Sequence, residues 1–358
     1  MRRRGVTVIL GALITALLAG GVMAIPLPYV VLKPGPTVNT LGSDNGKEVI
    51  QVTKADTSTS KGQLRLTTVG VQPSVELVWA IRGWFSDEQA VVPRELIYPP
   101  DQSEQQVEEQ NAEEFKSSQH SAVTVALREL GYPVQTFVTE VSKDGPSAGV
   151  LQKDDVITSV DGTEVTSPDK LTQLVQAKPA GTPLKIGYTR AGKAGTATVT
   201  TKAAESGGTP RIGVGIDKKQ PHPFDVNIDL DEIGGPSAGL MFTLGIIDKL
   251  RPADLTGGKI IAGTGTIDDE GNVGPIGGIP QKLVGAKEAG AQLFLVPADN
   301  CAEAVRNAVP GLPMAEVATV DDALTALQTF TSGGTPKPAP LRNNRHRRPR
   351  RNSATPVV

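Results

Sequence analysis

Gly235-Pro236-Ser237-Ala238-Gly239-Leu240-Met241-Phe242-Thr243-Leu244-Gly245-Ile246-Ile247-Asp248-Lys249-Leu250 is the stretch on which the reading of this chain turns. Apolar residues surround it on nearly every side, which predicts a buried helix. Pro236 suits a first helical position, where a missing N–H costs nothing. Ser237 then lies at a helix N-terminus, where free backbone N–H groups and the helix dipole favour negative charge. A tetrahedral oxyanion needs such donors. An ordinary N-capping serine would occupy the same place, and local chemistry alone favours the cap. The pentapeptide also occurs earlier, as Gly145-Pro146-Ser147-Ala148-Gly149, and only one copy can be an active site.

The earlier copy runs on into Val150-Leu151-Gln152-Lys153-Asp154-Asp155-Val156-Ile157-Thr158-Ser159-Val160-Asp161-Gly162. That is a turn, a strand of alternating apolar residues and an Asp-Gly turn. The run closely resembles the bacterial PDZ signature, in which Ser147 fills a turn that small residues fit. Strands are expected at Val134–Val141, Val156–Val160, Leu184–Thr189 and Thr196–Thr200, with a helix Pro168–Gln176 flanking the peptide groove. Grooves of this kind bind extended peptides by strand addition. Leu130-Gly131-Tyr132 resembles the apolar-Gly-apolar loop that holds a peptide carboxylate in these domains.

A serine nucleophile needs a base. Of the three histidines, His346 lies in a basic tail and His120 among polar residues, which leaves His222 for a Ser-His pair. Lysine is the better candidate. Ile260 to Ile267 reads as a buried strand breaking into glycines, followed by a hairpin-like Asp268–Asn272. Then comes Val273-Gly274-Pro275-Ile276-Gly277-Gly278-Ile279-Pro280-Gln281-Lys282, a glycine-rich and nearly uncharged approach to one lysine. On a solvated surface that lysine would be an ordinary cation; Lys249, Lys259 and Lys287 compete with it.

Gly-Pro-Ser237-Ala-Gly, Thr264-Gly265-x-Ile267 and Pro275-Ile276-Gly277-Gly278-Ile279-x-x-Lys282 together strongly resemble the proteolytic domain of Lon proteases. The resemblance implies a Ser-Lys dyad, with Ser237 as nucleophile and Lys282 as general base. Thr264 would border the dyad, and Gly235 and Pro236 would shape the turn. The chain departs from ATP-dependent members just before the serine, where Gly234-Gly235 replaces a Lys-Asp-Gly arrangement. Such chemistry requires burial to bring a lysine pKa from about 10.4 down to roughly 7–8.

The 358 residues leave room for two or three domains, and one cysteine, Cys301, excludes an intramolecular disulfide. Arg2-Arg3-Arg4 precede an uncharged run from Val6 to Ile25, long enough to cross a bilayer, so an N-terminal transmembrane helix is expected over 6–25. A cleavable signal peptide is the rival. The expected fold class is α+β: the transmembrane helix, a PDZ β-sandwich-like module and a Lon-type α/β proteolytic domain. The expected divisions are a juxtamembrane stalk at 26–45, an N-terminal part of the Lon-like domain at 46–130, an inserted PDZ domain at 131–203, the proteolytic domain at 204–330 and a disordered basic tail at 331–358. Trp79 and Trp84, in the apolar run Leu77 to Phe85, are expected to face a core, with a membrane-facing patch as the alternative. Ser103 with Gln106 makes a capping box for a helix from Glu104 to about Ser117, and a second helix is expected from Ser121 to Leu130.

Nine arginines sit in the two termini; without them the formal charge of −2 falls to about −11, which gives no support to a nucleic-acid-binding core. Gly42-Ser43-Asp44-Asn45-Gly46-Lys47-Glu48 lacks the spacing and final hydroxyl of a phosphate loop. No cofactor, metal cluster or ATPase module is expected. The whole reads as a membrane-anchored, ATP-independent Lon-like serine endopeptidase. Its catalytic part would lie outside the cytoplasmic membrane, with protein or peptide substrates and, by resemblance, a hexameric ring. The alternatives are a PDZ scaffold with an idle protease fold and a carboxyl-terminal processing protease, whose Ser-x-Ser-Ala signature the chain lacks.

Overall fold

Ile260–Gly263 and Leu293–Pro297 are short, almost wholly apolar runs, and both are buried along nearly their whole length. Strands of this kind belong in the middle of a parallel sheet covered on both faces. The computed structural model, which describes residues 10–17, 21, 26–86, 88–204, 207–230 and 234–340, places them there. The sheet has six strands in the order Met314–Val317, Leu293–Pro297, Ile260–Gly263, Gln63–Gln72, Tyr29–Asn39, Ala90–Pro93. The first four run parallel and the last two join antiparallel.

Successive residues of a strand point to opposite faces, and the core divides accordingly. Leu64, Leu66, Ile261, Leu293 and Leu295 pack with Leu240, Phe242 and Ile246 of helix Gly239–Leu250. Helices Val320–Thr331 and Glu104–Glu129 complete that layer through Ala323, Leu327, Ala122 and Val125. Ala262, Phe294 and Val296 turn the other way, onto Ile279, Leu283 and Ala286 of helix Ile279–Glu288. The serine and the lysine singled out above thus belong to helices on opposite faces of one sheet.

The chain divides into two compact units, 1–126 with 224–358, and 127–223. The second is built on its own antiparallel sheet, in the order Lys193–Thr200, Pro183–Arg190, Val156–Val160, Gln135–Val141, Val214–Lys219. Its core gathers Val138, Leu151, Ile157, Leu171, Leu184, Ile186 and Val199. Helix Pro168–Gln176 starts at Ser167, whose side chain accepts the Lys170 N–H, with Pro168 in the first turn.

Several expectations change. Among the described residues no helix is long and apolar enough to cross a membrane. Within the expected span 6–25, the longest described helical run is residues 10–17. Residues 6–9, 18–20 and 22–25 of that span lie outside the described residues. The transmembrane element of the fold class is therefore withdrawn. The membrane partnership through it and the single-pass, extracytoplasmic placement go with it.

Residues 29–39, expected within a stalk, form a strand of the main sheet with Val30 and Val31 buried. Its prolines Pro34 and Pro36 fall at a register shift, beyond the four residues that pair with Ala90–Pro93. Trp79, Trp84 and Phe85 are 50%, 55% and 88% exposed, so these aromatic side chains do not face a core, and the run turns Ala80 inward instead. The two helices expected between Glu104 and Leu130 are one, Glu104–Glu129, opened by the reciprocal Ser103–Gln106 capping box. In the tail, Lys337 and Ala339 bond the edge strand Met314–Val317, while 341–358 lie outside the described residues.

Candidate active site

The two helices meet just past the C-terminal end of the central strand Ile260–Gly263, the end at which open α/β sheets place their sites. Gly235 opens the serine turn at φ +82°, a conformation that favours glycine. Pro236–Ala238 form a short 3-10 turn that leads into helix Gly239–Leu250. Ser237 is half-buried at this helix start. Its carbonyl accepts the Gly265 N–H at 2.9 Å and the Thr264 hydroxyl at 3.1 Å. Gly265 in turn accepts the Leu240 N–H at 3.1 Å, so the loop after the strand is zipped onto the turn.

Lys282 comes from the opposite face. Its helix is entered through Gly278 at φ +70°, where a methyl group would lie 2.4 Å from Val69 Cγ2, so neither the backbone nor the space admits a side chain. Asn300 braces this approach, donating to the Ile276 carbonyl and accepting the Ile276 N–H, both at 2.9 Å. Lys282 is 3% exposed, and Nζ donates to Thr264 Oγ1 at 3.0 Å. Burial penalises the ammonium form and pulls its pKa down to about 7. Among the described residues it has no ionic partner. One fully buried hydroxyl, that of Thr264, therefore touches both the lysine amine and the serine backbone.

The competing groups are engaged elsewhere. Lys249 pairs with Glu48 at 2.9 Å, and Lys287 donates to the Gly311 carbonyl at 3.0 Å. Lys259 donates to the Phe330 carbonyl at 2.8 Å and sits over that ring. His120 is exposed, the exposed His222 bonds the Gln220 carbonyl through Nδ1, and His346 lies outside the described residues. Ser147 is fully buried in the other unit and donates to the Ile212 carbonyl at 2.6 Å.

Within the second unit, and among the described residues, Val214–Lys219 is an edge strand paired on one side only, by Gln135–Val141. A groove of about 380 Å³ runs between it and helix Pro168–Gln176, lined by Leu171, Val175, Ile212, Val214 and Ile216. Leu130-Gly131-Tyr132 is not among the groove-lining residues. It forms the C-terminal turn of helix Glu104–Glu129, its N–H groups bonded to the Leu127 and Arg128 carbonyls. The groove carries another apolar-Gly-apolar triplet, Ile212-Gly213-Val214, which sequence reasoning passed over. Asn300 was passed over too, since a lone asparagine in a loop carries no pattern.

Two family models match parts of the chain, with bounds that differ from those of the two units. Residues 215–328 match the Lon protease (S16) C-terminal proteolytic domain, and residues 106–201 match the PDZ domain. Lon protease 2 of Bacillus subtilis (strain 168) is 33% identical over 110 residues, which are 29% of this chain and 19% of that protein. Lon protease of Azospirillum brasilense is 40% identical over 93 residues, 25% of this chain and 11% of its own length. The PDZ domain of the SdrC-like protein from Listeria monocytogenes is a solved structure with 32% identity and a TM-score of 0.22; the match covers 23% of this chain and 85% of that one. The C-terminal part of the chain thus has a Lon-family protease fold. The chain spans only about a tenth to a fifth of the length of these curated relatives, so an assembly state does not carry over from them. The expected hexameric ring is withdrawn.

Proposed function

We propose that the protein is a serine endopeptidase in which Ser237 is the nucleophile and Lys282 its general base. One observation carries the reading: a buried lysine, its pKa drawn to about 7, with its amine on the Thr264 hydroxyl that also holds the nucleophile turn. A neutral amine at physiological pH accepts a serine proton, which an ordinary lysine cannot. Ser237 Oγ attacks the peptide carbonyl while its proton passes to Lys282. The tetrahedral oxyanion lies against amides at the helix start. Collapse breaks the C–N bond, and the Lys282 ammonium returns the proton to the leaving amine. Water, deprotonated by the same lysine, then releases the acyl group.

The second unit supplies capture. An extended segment adds to the free edge of Val214–Lys219 and places an apolar side chain between Leu171, Val175 and Ile212. Strand addition and acyl attack both need backbone that is not already paired, so exposed loops, tails and peptides are the substrates. Residues 127–223 interrupt the catalytic unit, and the chain returns to it shortly before Ser237. In this reading the capture module is an insertion in the protease.

The test is active-site labelling with a fluorophosphonate, alongside cleavage of an unfolded polypeptide. Both are expected from the wild type and both are lost in Ser237→Ala. Cleavage that survives Ser237→Ala sinks the assignment.

A further inference from the structure

The serine turn is held from one more side, by helix Glu104–Glu129. Asn111 and Ser118 are two turns apart on Glu104–Glu129 and so share a face. The Asn111 carbonyl accepts the Gly235 N–H at 2.9 Å. The Ser118 hydroxyl, buried at 4% exposure, donates to the Pro236 carbonyl at 2.9 Å. A methyl group on Gly239 would lie 2.7 Å from Ser118 Oγ, so the two helices meet here with no space to spare.

We infer that Ser118 is a positioning residue for Ser237, acting through the peptide plane between Pro236 and Ser237. In a trans peptide the C=O and N–H point to opposite sides. Holding the Pro236 carbonyl therefore aims the Ser237 N–H away from the Glu104–Glu129 helix. Thr264 and Gly265 hold the next carbonyl, that of Ser237, and so aim the Ala238 N–H. Two successive amides are fixed before any substrate arrives, and donors set in advance stabilise a developing oxyanion more than donors that must reorganise. Ser118 governs the first of the pair. It touches neither substrate nor the reacting atoms, and its effect belongs in kcat more than in KM.

This inference rests on the Ser237 reading, and the experiment separates the two. Wild type, Ser118→Ala and Ser118→Cys are compared as the full chain. The measurements are steady-state cleavage of an unfolded reporter polypeptide, the rate of fluorophosphonate labelling, and thermal unfolding. Losing one buried hydrogen bond to the turn is expected to lower kcat about five- to tenfold. The labelling rate should fall by the same factor and KM stay within about twofold. Ser118→Cys, nearly isosteric and a weak donor, carries the measurement if the alanine variant does not fold. Folded variants with unchanged kcat and labelling, or with a change confined to KM, overturn the inference alone. Failure of both variants to fold makes Ser118 a structural residue and overturns it too. A wild type that neither cleaves nor labels overturns the reading of the site and this inference with it.

Discussion

The two copies of Gly-Pro-Ser-Ala-Gly have opposite fates. At 145–149 the serine is fully buried, its hydroxyl spent on the Ile212 carbonyl and its own carbonyl taken by the Val150 and Leu151 N–H groups. Gly149, at φ +72°, keeps the chain in a turn. At 235–239 the last glycine is helical, at φ −54°, and the chain runs on into a twelve-residue helix. Here the serine is half-buried, and among the described residues its hydroxyl has no hydrogen-bond partner. Identical residues supply a turn in both places. What differs is the surroundings: at 147 a backbone carbonyl takes the hydroxyl, while at 237 the Thr264 hydroxyl that Lys282 bonds holds the serine's backbone carbonyl. The pentapeptide does not set a serine's role; its surroundings do.

Removing the proposed base should collapse the contrast most completely. Lys282→Met is expected to abolish cleavage, leaving Ser237 as inert toward peptides as Ser147. In the wild type, kcat/KM should rise with pH through about 7 as the amine loses its proton. Stability follows the same group. The folded pKa is lowered to about 7 from 10.5, so between those values the unfolded chain binds more protons and stability rises with pH. Below pH 7 both states are protonated and the cost of burying the charge is fully present. The whole swing is on the order of 4–5 kcal/mol. Chemical denaturation from pH 6 to 10 should show that slope in the wild type and a flatter one in Lys282→Met. Parallel curves would mean that Lys282 is solvated.

A subtler cut removes only the shared hydroxyl. Thr264→Val keeps the shape but leaves the amine without its acceptor and the Ser237 carbonyl with one donor fewer. Losing interactions of this kind costs about 1.5–3 kcal/mol, a drop in kcat of roughly ten- to a hundredfold. Steady-state kinetics on a folded variant decide it, and an unchanged kcat removes Thr264 from the mechanism.

The smallest effect belongs to the other copy. Ser147→Ala leaves the Ile212 carbonyl without its donor and should destabilise the 127–223 unit by about 1–3 kcal/mol. Cleavage of an unfolded substrate should stay within about twofold of wild type. A loss comparable to that of Ser237→Ala would break the comparison, because both serines would then serve catalysis.

Elements with strong local signals were legible before any coordinates. Pro168–Gln176 has a serine cap, a first-turn proline and Leu171 and Val175 one turn apart on the buried face, and it lies where the pattern put it. Val156–Val160 is bounded by turns on both sides and is equally plain. The helix Glu104–Glu129 was split because its polar middle, Lys116 to His120, carries no apolar period; the helix runs through it without a break. Val214–Lys219 has a weak signature: Val214 and Ile216 alternate with glycine, and Asp217, Lys218 and Lys219 follow. It is a strand because Gln135–Val141 lies beside it. Apolarity likewise misplaced Trp79 and Trp84, since composition says what a side chain prefers and not what is left to cover it.

What local chemistry alone decides in this chain is the turn at each Gly-Pro-Ser, the helix that follows the second one, and the glycine run that lets a helix start at Ile279. These depend on a few consecutive residues and their dihedral freedom. The charge state of Lys282 does not. It depends on Thr264 and on every apolar group that displaces water from the amine, brought together by parallel pairing of strands almost two hundred residues apart. Desolvation is a property of the assembled core, so only the tertiary structure could decide which lysine has its pKa drawn down to about 7.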